Sequence, residues 1–181
     1  MSHQPLWYLG QVSPEELSKA EEEFAAVESK KATMGKDGET LDLSTRDTTV
    51  SFIDVNHWFG LKMNDFAIQA NKVCKWGFHL ENHEAVQYAE YGPAQHYNWH
   101  VDTFFLSGKD VDRKVTVVCL MNDPSAFEGG QFQIRFGQEY TAPLQKGTII
   151  AFPSFLEHRV IPITSGVRYS ATMWVNGPRF R

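Results

Sequence analysis

The chain has 181 residues, 42% hydrophobic and 22% charged, with a formal net charge of −5. That supplies apolar material for one sizeable core, and the acidic balance weighs against a phosphate-gathering surface and a nucleic-acid partner. No apolar run approaches bilayer-spanning length, and "MSHQPLWYLG" lacks the charged start and apolar stretch of a signal peptide, so no membrane association is expected.

The first element is a helix. Ser13 can cap it, Pro14 suits its first position and Glu16 completes a capping box. Leu17, Ala20, Phe24 and Val27 then recur at helical spacing. "ATMGKDGETLDLSTRD" is polar and glycine-rich and reads as a mobile loop with room for a short strand. "TTVSFIDV" reads as a strand, and "LKMNDFAIQANKVCKW" as a second helix with Met63, Phe66, Ala67, Ala70 and Cys74 on one stripe.

From Ala85 onward the pattern is β. Eight short segments follow, "AVQYAEY", "YNWHVDTFF", "KVTVVCLMN", "GGQFQIRF", "EYTAPLQ", "GTIIAFPS", "EHRVIPI" and "RYSATMWVN", separated by turn signals such as Gly92-Pro93 and Lys146-Gly147. The expected fold is mainly β with flanking helices, as a sandwich, jelly roll or barrel whose helices pack on one sheet from outside. One domain is expected over 1–181, with helical support at about 13–80 and a β core at about 85–176. Cys74 and Cys119 fall in helical and strand patterns and read as small buried hydrophobes, which fits a cytoplasmic setting better than a disulfide framework.

"HYNWHVDTFF" carries the chemistry. Side chains two apart on a strand point the same way, so His100 and Asp102 can take adjacent positions on one metal ion. His158, at the start of a later strand, can supply a third ligand. Two His and one carboxylate with open positions suit non-haem Fe(II), and zinc would accept the same donors. Arg168 opens the next strand, across the "TSG" turn. Placed on a strand neighbouring that of His158, it would enter the same cavity and fork onto a carboxylate. A chelating site plus a buried guanidinium suits a ligand such as 2-oxoglutarate. The plain alternative for Arg168 is a surface ion pair.

With these residues in view, the chain resembles the 2-oxoglutarate/Fe(II)-dependent dioxygenases, and among them the prolyl 4-hydroxylases. The likeness runs from about Thr48 and is sharpest from Tyr91 to Trp174, in "YGPAQHYNWHVDTFF", "FEGGQFQI" and "GTIIAFPSFLEHRVIPITSGVRYSATMW". It implies a double-stranded β-helix (jelly-roll) core. It implies that His100, Asp102 and His158 bind Fe(II) and that Arg168 holds the distal carboxylate of 2-oxoglutarate. Tyr91 would help bind that cosubstrate, and Thr172 would touch it. Tyr97 and Trp174 would line a prolyl pocket. Oxygen-sensing members carry a further cosubstrate-binding Tyr where this chain has Leu120, which favours Tyr91 in that role. The implied reaction consumes O2 and 2-oxoglutarate, releases succinate and CO2 and hydroxylates a prolyl residue in a peptide or protein, with ascorbate supporting activity. Residues 33–47 occupy the place of a substrate lid.

Plainer readings stand beside these. His96 shares an even offset with His100 and reads as a rim residue; His57, His79 and His83 need no role. Trp99 should face away from His100 and pack. Gly129 and Gly130 read as a turn or bulge. Lys109, Arg113 and Lys114 read as solvated turn charges, one of which a peptide substrate could use. Rival functions are the same chemistry on another side chain, a free amino acid or a small metabolite, a cupin-like module that binds without redox chemistry, and a nucleic-acid demethylase. Oligomeric state is not legible.

Overall fold

A computed structural model describes residues 5–32, 42–104 and 110–179. In chain order the elements are β1 (Tyr8–Gln11), α1 (Pro14–Ala25), β2 (Lys30–Lys31), β3 (Arg46–Asp47), β4 (Thr49–Ile53), α2 (Trp58–Val73), β5 (Asn82–His83), β6 (Val86–Tyr91), β7 (His96–His100), β8 (Val111–Leu120), β9 (Phe127–Gly129), β10 (Phe132–Phe136), β11 (Gln138–Thr141), β12 (Thr148–Pro153), β13 (Glu157–Val160), β14 (Ile163–Gly166) and β15 (Arg168–Pro178). Most of the lid assigned to residues 33–47 lies outside the described residues, as do Phe105 and Lys109. The described end of that segment turns on Asp42, whose carboxylate accepts from Ser44 and Thr45, and closes in β3.

Two antiparallel sheets face each other. The larger runs β1-β12-β8-β15-β6-β4-β2, with β5 beside β15; the smaller runs β11-β10-β13-β7-β3, and β9 pairs with β14. The order shows why β8, β12 and β15 are so apolar. Each is buried on both faces, so alternation serves two cores at once. Val115, Val117 and Cys119 of β8 point outward to meet Leu17, Ala20 and Phe24 of α1 and Phe59, Met63, Ala67 and Ala70 of α2. Val118 and Leu120 point inward against Phe132, Ile134 and Val160 of the smaller sheet.

Both helices form for local reasons the sequence states. Ser13 and Glu16 make the capping box, and Leu17, Ala20 and Phe24 are buried. α2 starts earlier than its apolar stripe suggests. His57 caps it, Nδ1 accepting from the Phe59 amide, a role for which histidine is rarely read. The two thiols are free and buried. Strands missed from sequence (β1, β2, β5, β9 and β14) are two to four residues long, too short to show a period, whereas β3 is a short strand in the polar loop that had room for one.

The double glycine is a structural requirement. Gly130 has φ +66°, and a Cβ there would stand 2.5 Å from Ile163 Cδ1 and 2.9 Å from Arg168 Cδ. Gly130→Ala is therefore expected to destabilise the fold by about 2–4 kcal/mol in urea unfolding, from left-handed strain plus overpacking. A loss well under 1 kcal/mol would show that Arg168 and Ile163 can give way.

Candidate metal centre

The HxD pair is not held as strand alternation suggests. β7 ends at His100, and Asp102 lies beyond it in irregular backbone. Two contacts hold Asp102 instead, and a third steadies one of them. Its amide donates to the Ser154 carbonyl at 2.9 Å, Thr116 Oγ1 donates to Oδ2 at 2.8 Å, and the Ser154 hydroxyl lies 2.9 Å from Thr116 Oγ1. The Thr116 proton is committed to the carboxylate, so Ser154 must donate to Thr116. Neither residue stood out in the sequence, because a Thr and a Ser in apolar strands carry no signal of their own.

His158 comes from β13, which pairs with β7 in a register that sets His158 opposite His100. His158 Nε2 stands 3.2 Å from Asp102 Oδ2, and His100 Nε2 stands 3.7 Å from Oδ1. Cis donors each about 2.1 Å from an octahedral ion lie about 3 Å apart, so this spacing suits one metal. One donor atom from each residue falls within 4.8 Å of the others, and all three residues are at least partly buried.

The protonation states suit it too. The rings turn Nδ1 to main-chain carbonyls, His100 to Asn98 at 2.7 Å and His158 to Leu156 at 3.0 Å. Each Nδ1 thus carries the proton, leaving Nε2 as a lone-pair donor. Burial, then His158, pushes His100 down to about 3, so it is a neutral imidazole near pH 7. Burial alone would push Asp102 up, but the pull of His158 and His100 outweighs it and holds the carboxyl well below its usual range.

A cavity of about 570 Å³ opens onto the triad. Tyr91, Tyr97, Thr172 and Trp174 all line it, so seven of the eight candidate residues share one space. Arg168 is the exception. It lines a small adjoining recess of about 20 Å³, and Val118 and Phe132 border both spaces. Arg168 does not reach the site from a strand beside that of His158. β13 and β15 are not neighbours; they belong to opposite sheets, and Arg168 reaches inward from the larger one. Its chain partner is Tyr91, across β6, whose ring centroid is 5.6 Å from the guanidinium carbon. Arg168 is 2% exposed. Its Nε and Nη1 are buried with no acceptor. Burial pushes its pKa below the usual guanidinium value, yet an arginine stays charged. A buried cation without an anion points to a missing ligand.

Tyr97 also reaches the site by an unexpected route. It lies at an odd offset from His100, so plain alternation would turn it outward. Between Tyr97 and His100 two residues of β7, Asn98 and Trp99, oppose one of β13, Arg159, and this bulge resets the face. The Tyr97 ring then stacks on His100 with centroids 3.4 Å apart. The same bulge defeats the even-offset argument for His96, whose ring nitrogens lie beside the carbonyls of Ala94 and Ser44, away from the cavity. Trp99 packs outside as expected, between the guanidinium groups of Arg135 and Arg159.

Arg113 is not a solvated turn charge. It opens toward the cavity, pairs with Glu84 through Nε and Nη2, and lies 3.8 Å from the Trp174 ring centroid. Lys114 is also buried. Trp174 Nε1–H is buried without an acceptor, a donor held ready beside the cavity.

The sequence model of the 2OG-Fe(II) oxygenase superfamily matches residues 86–176, half of the chain. The chain belongs to that superfamily. A PKHD-type hydroxylase of Picosynechococcus is 33% identical over 110 residues, 60% of this chain and 49% of that protein. The chain spans about half the length of the curated relatives it matches. A Pseudomonas putida prolyl-4-hydroxylase shares the fold at TM-score 0.69 and 21% identity, covering 97% of this chain and 94% of that one. A prolyl hydroxylase from Trichoplax adhaerens, solved with a hypoxia inducible factor peptide fragment, shares it at TM-score 0.73 and 15% identity, covering 94% and 83%. The core is thus a double-stranded β-helix of the oxygenase kind, and Fe(II), 2-oxoglutarate and O2 are the superfamily's reagents. The unpartnered Arg168 and the donor set of two His and one carboxylate fit two of these. No helix among the described residues is long and apolar enough to cross a membrane.

If Thr116 orients Asp102, Thr116→Val should lower affinity for Mn(II) or Fe(II) by about 10–100-fold, measured anaerobically by calorimetry. Unchanged affinity would show that the hydroxyl is idle.

Proposed function

We propose that this superfamily member hydroxylates a prolyl residue in a peptide or protein, with 2-oxoglutarate as cosubstrate, within a single catalytic domain. The observation that carries the cosubstrate assignment is the buried, unpartnered Arg168 in a recess beside the His100, Asp102 and His158 triad. The prolyl assignment rests on Tyr97 and Trp174 flanking the same cavity, together with the hydroxylase relatives.

The roles follow from the contacts. His100 and His158 present Nε2 lone pairs, and Asp102 its carboxylate, to Fe(II). Bound there, the iron with its cosubstrate supplies the oxidation; the protein's share is orientation and the exclusion of water. Arg168 forks onto the distal carboxylate, with Tyr91 beside it. Thr172 and Ser170 share that inward face of β15 and offer hydroxyls along the cosubstrate's length. Tyr97 and Trp174 give the pyrrolidine ring apolar surface. The Trp174 indole N–H donates to the substrate backbone, and Arg113 braces its ring. Burial raises the Tyr97 hydroxyl above its usual range, so it stays protonated where its ring stacks on His100. Ascorbate would sustain turnover, and a cytoplasmic setting would suit the free thiols.

The test is 2-oxoglutarate consumption in air with Fe(II) and ascorbate, with and without proline-containing peptides. Turnover should rise with a suitable peptide, which gains the mass of one oxygen. His158→Ala should abolish turnover, and Arg168→Ala should raise the 2-oxoglutarate KM by about 30-fold or more. Turnover insensitive to every proline peptide would move the substrate to another side chain or a small molecule. No turnover in folded, iron-loaded protein would overturn the enzyme reading.

A further inference from the structure

The cavity is lined by a buried guanidinium that the proposed chemistry leaves unused. Arg46 lies on β3, opposite Tyr97 on β7, and lines the cavity beside Tyr97 and His100. It is 8% exposed. Its guanidinium carbon sits 4.8 Å from the Tyr97 ring centroid, and its Nε and Nη2 are buried with no acceptor. The ring holds the cation in place without using up its N–H donors.

No acid among the described residues lining the cavity is available to it. Asp102 is the only carboxylate among the described lining residues, and it belongs to the triad. Next in the chain, Asp47 is taken by Lys31 at 2.8 Å and Gln95 at 2.9 Å. Arg113, the other guanidinium lining this cavity, already has Glu84. The proposed reagents do not supply an anion either. Fe(II) and Arg168 bring three positive charges, and Asp102 with the two carboxylates of 2-oxoglutarate brings three negative ones. That half of the site is neutral when loaded. Arg46 is left with its charge, and Lys30 lies nearby on the cavity lining. A buried guanidinium is kept at a cost unless something binds it, and its fork suits a carboxylate.

The geometry points to Arg46 as the anchor for a carboxylate carried by the substrate itself, an Asp or Glu side chain or a terminal carboxylate close to the hydroxylated residue. The substrate is then an acidic peptide, and Arg46 sets which proline in it is chosen. This rests on the proposed function for the reacting residue, but not for the anion site.

The test separates the two. Protein loaded with Mn(II) and 2-oxoglutarate, so that Arg168 is occupied, is titrated calorimetrically with proline-centred peptides. One set carries Asp or its neutral isostere Asn at each of the flanking positions, with both ends blocked. Another carries a free or an amidated C-terminus next to the proline. Wild type should bind one acidic form at least about tenfold tighter than its neutral twin, as expected for a charge-assisted fork. The set in which that happens identifies side chain or terminus. Arg46→Gln should erase the preference, and Arg46→Lys should restore part of it. Equal affinity for acidic and neutral forms at every position, no binding of any peptide, or a preference that survives Arg46→Gln would overturn the proposal. The wild-type comparison needs no variant, so a misfolded variant does not shelter it. Arg46-dependent acid binding with no oxygen added to any proline would keep the anion site and remove the prolyl reading. Hydroxylation of acidic and neutral peptides alike would do the reverse.

Discussion

One strand pairing holds the site together: β13 against β7, with His158 opposite His100. It brings two imidazoles to the same rung of the smaller sheet, and their Nδ1 protons go to the carbonyls two residues earlier in the chain. The bulge in that ladder turns Tyr97 inward to stack on His100, and it lets β3 lay Arg46 over Tyr97. A register slip of one residue would undo the metal donors, the aromatic wall and the placing of Arg46 together.

The larger sheet supplies what the smaller one cannot. β15 alternates so that Arg168, Ser170, Thr172 and Trp174 face the inside while Ala171, Met173 and Val175 meet the helices. The helices make no contact with the chemistry. They close the outer face of β8, β12 and β15, and that lets a charged residue be buried on the inner face without loss of the core. The two sheets then meet as separate halves of a binding site, with donors for metal on one and a fork for an anion on the other.

The sequence displays the site's residues better than the reasons for their positions. His100, Asp102 and His158 converge as expected, but Asp102 does so after the strand has ended, held by Thr116 and Ser154. Arg168 is buried and unpartnered, as its pattern suggests, though it comes from the sheet opposite His158 and not from a neighbouring strand. Capping residues and apolar stripes made both helices legible because those signals are local. Arg46 was invisible for the opposite reason. It sits in a polar, glycine-bearing stretch that reads as loop, and its burial depends on a two-residue pairing with a strand about fifty positions away.

The account stands or falls on whether Arg168 is the fork that binds a distal carboxylate. The direct measurement is calorimetric affinity, in Mn(II)-loaded protein without oxygen turnover, for 2-oxoglutarate against 2-oxobutyrate, which chelates equally but lacks that carboxylate. Wild type should prefer 2-oxoglutarate by about 30-fold or more, and Arg168→Met should bring the two together. Equal affinity in wild type, or a preference untouched by Arg168→Met, would contradict it.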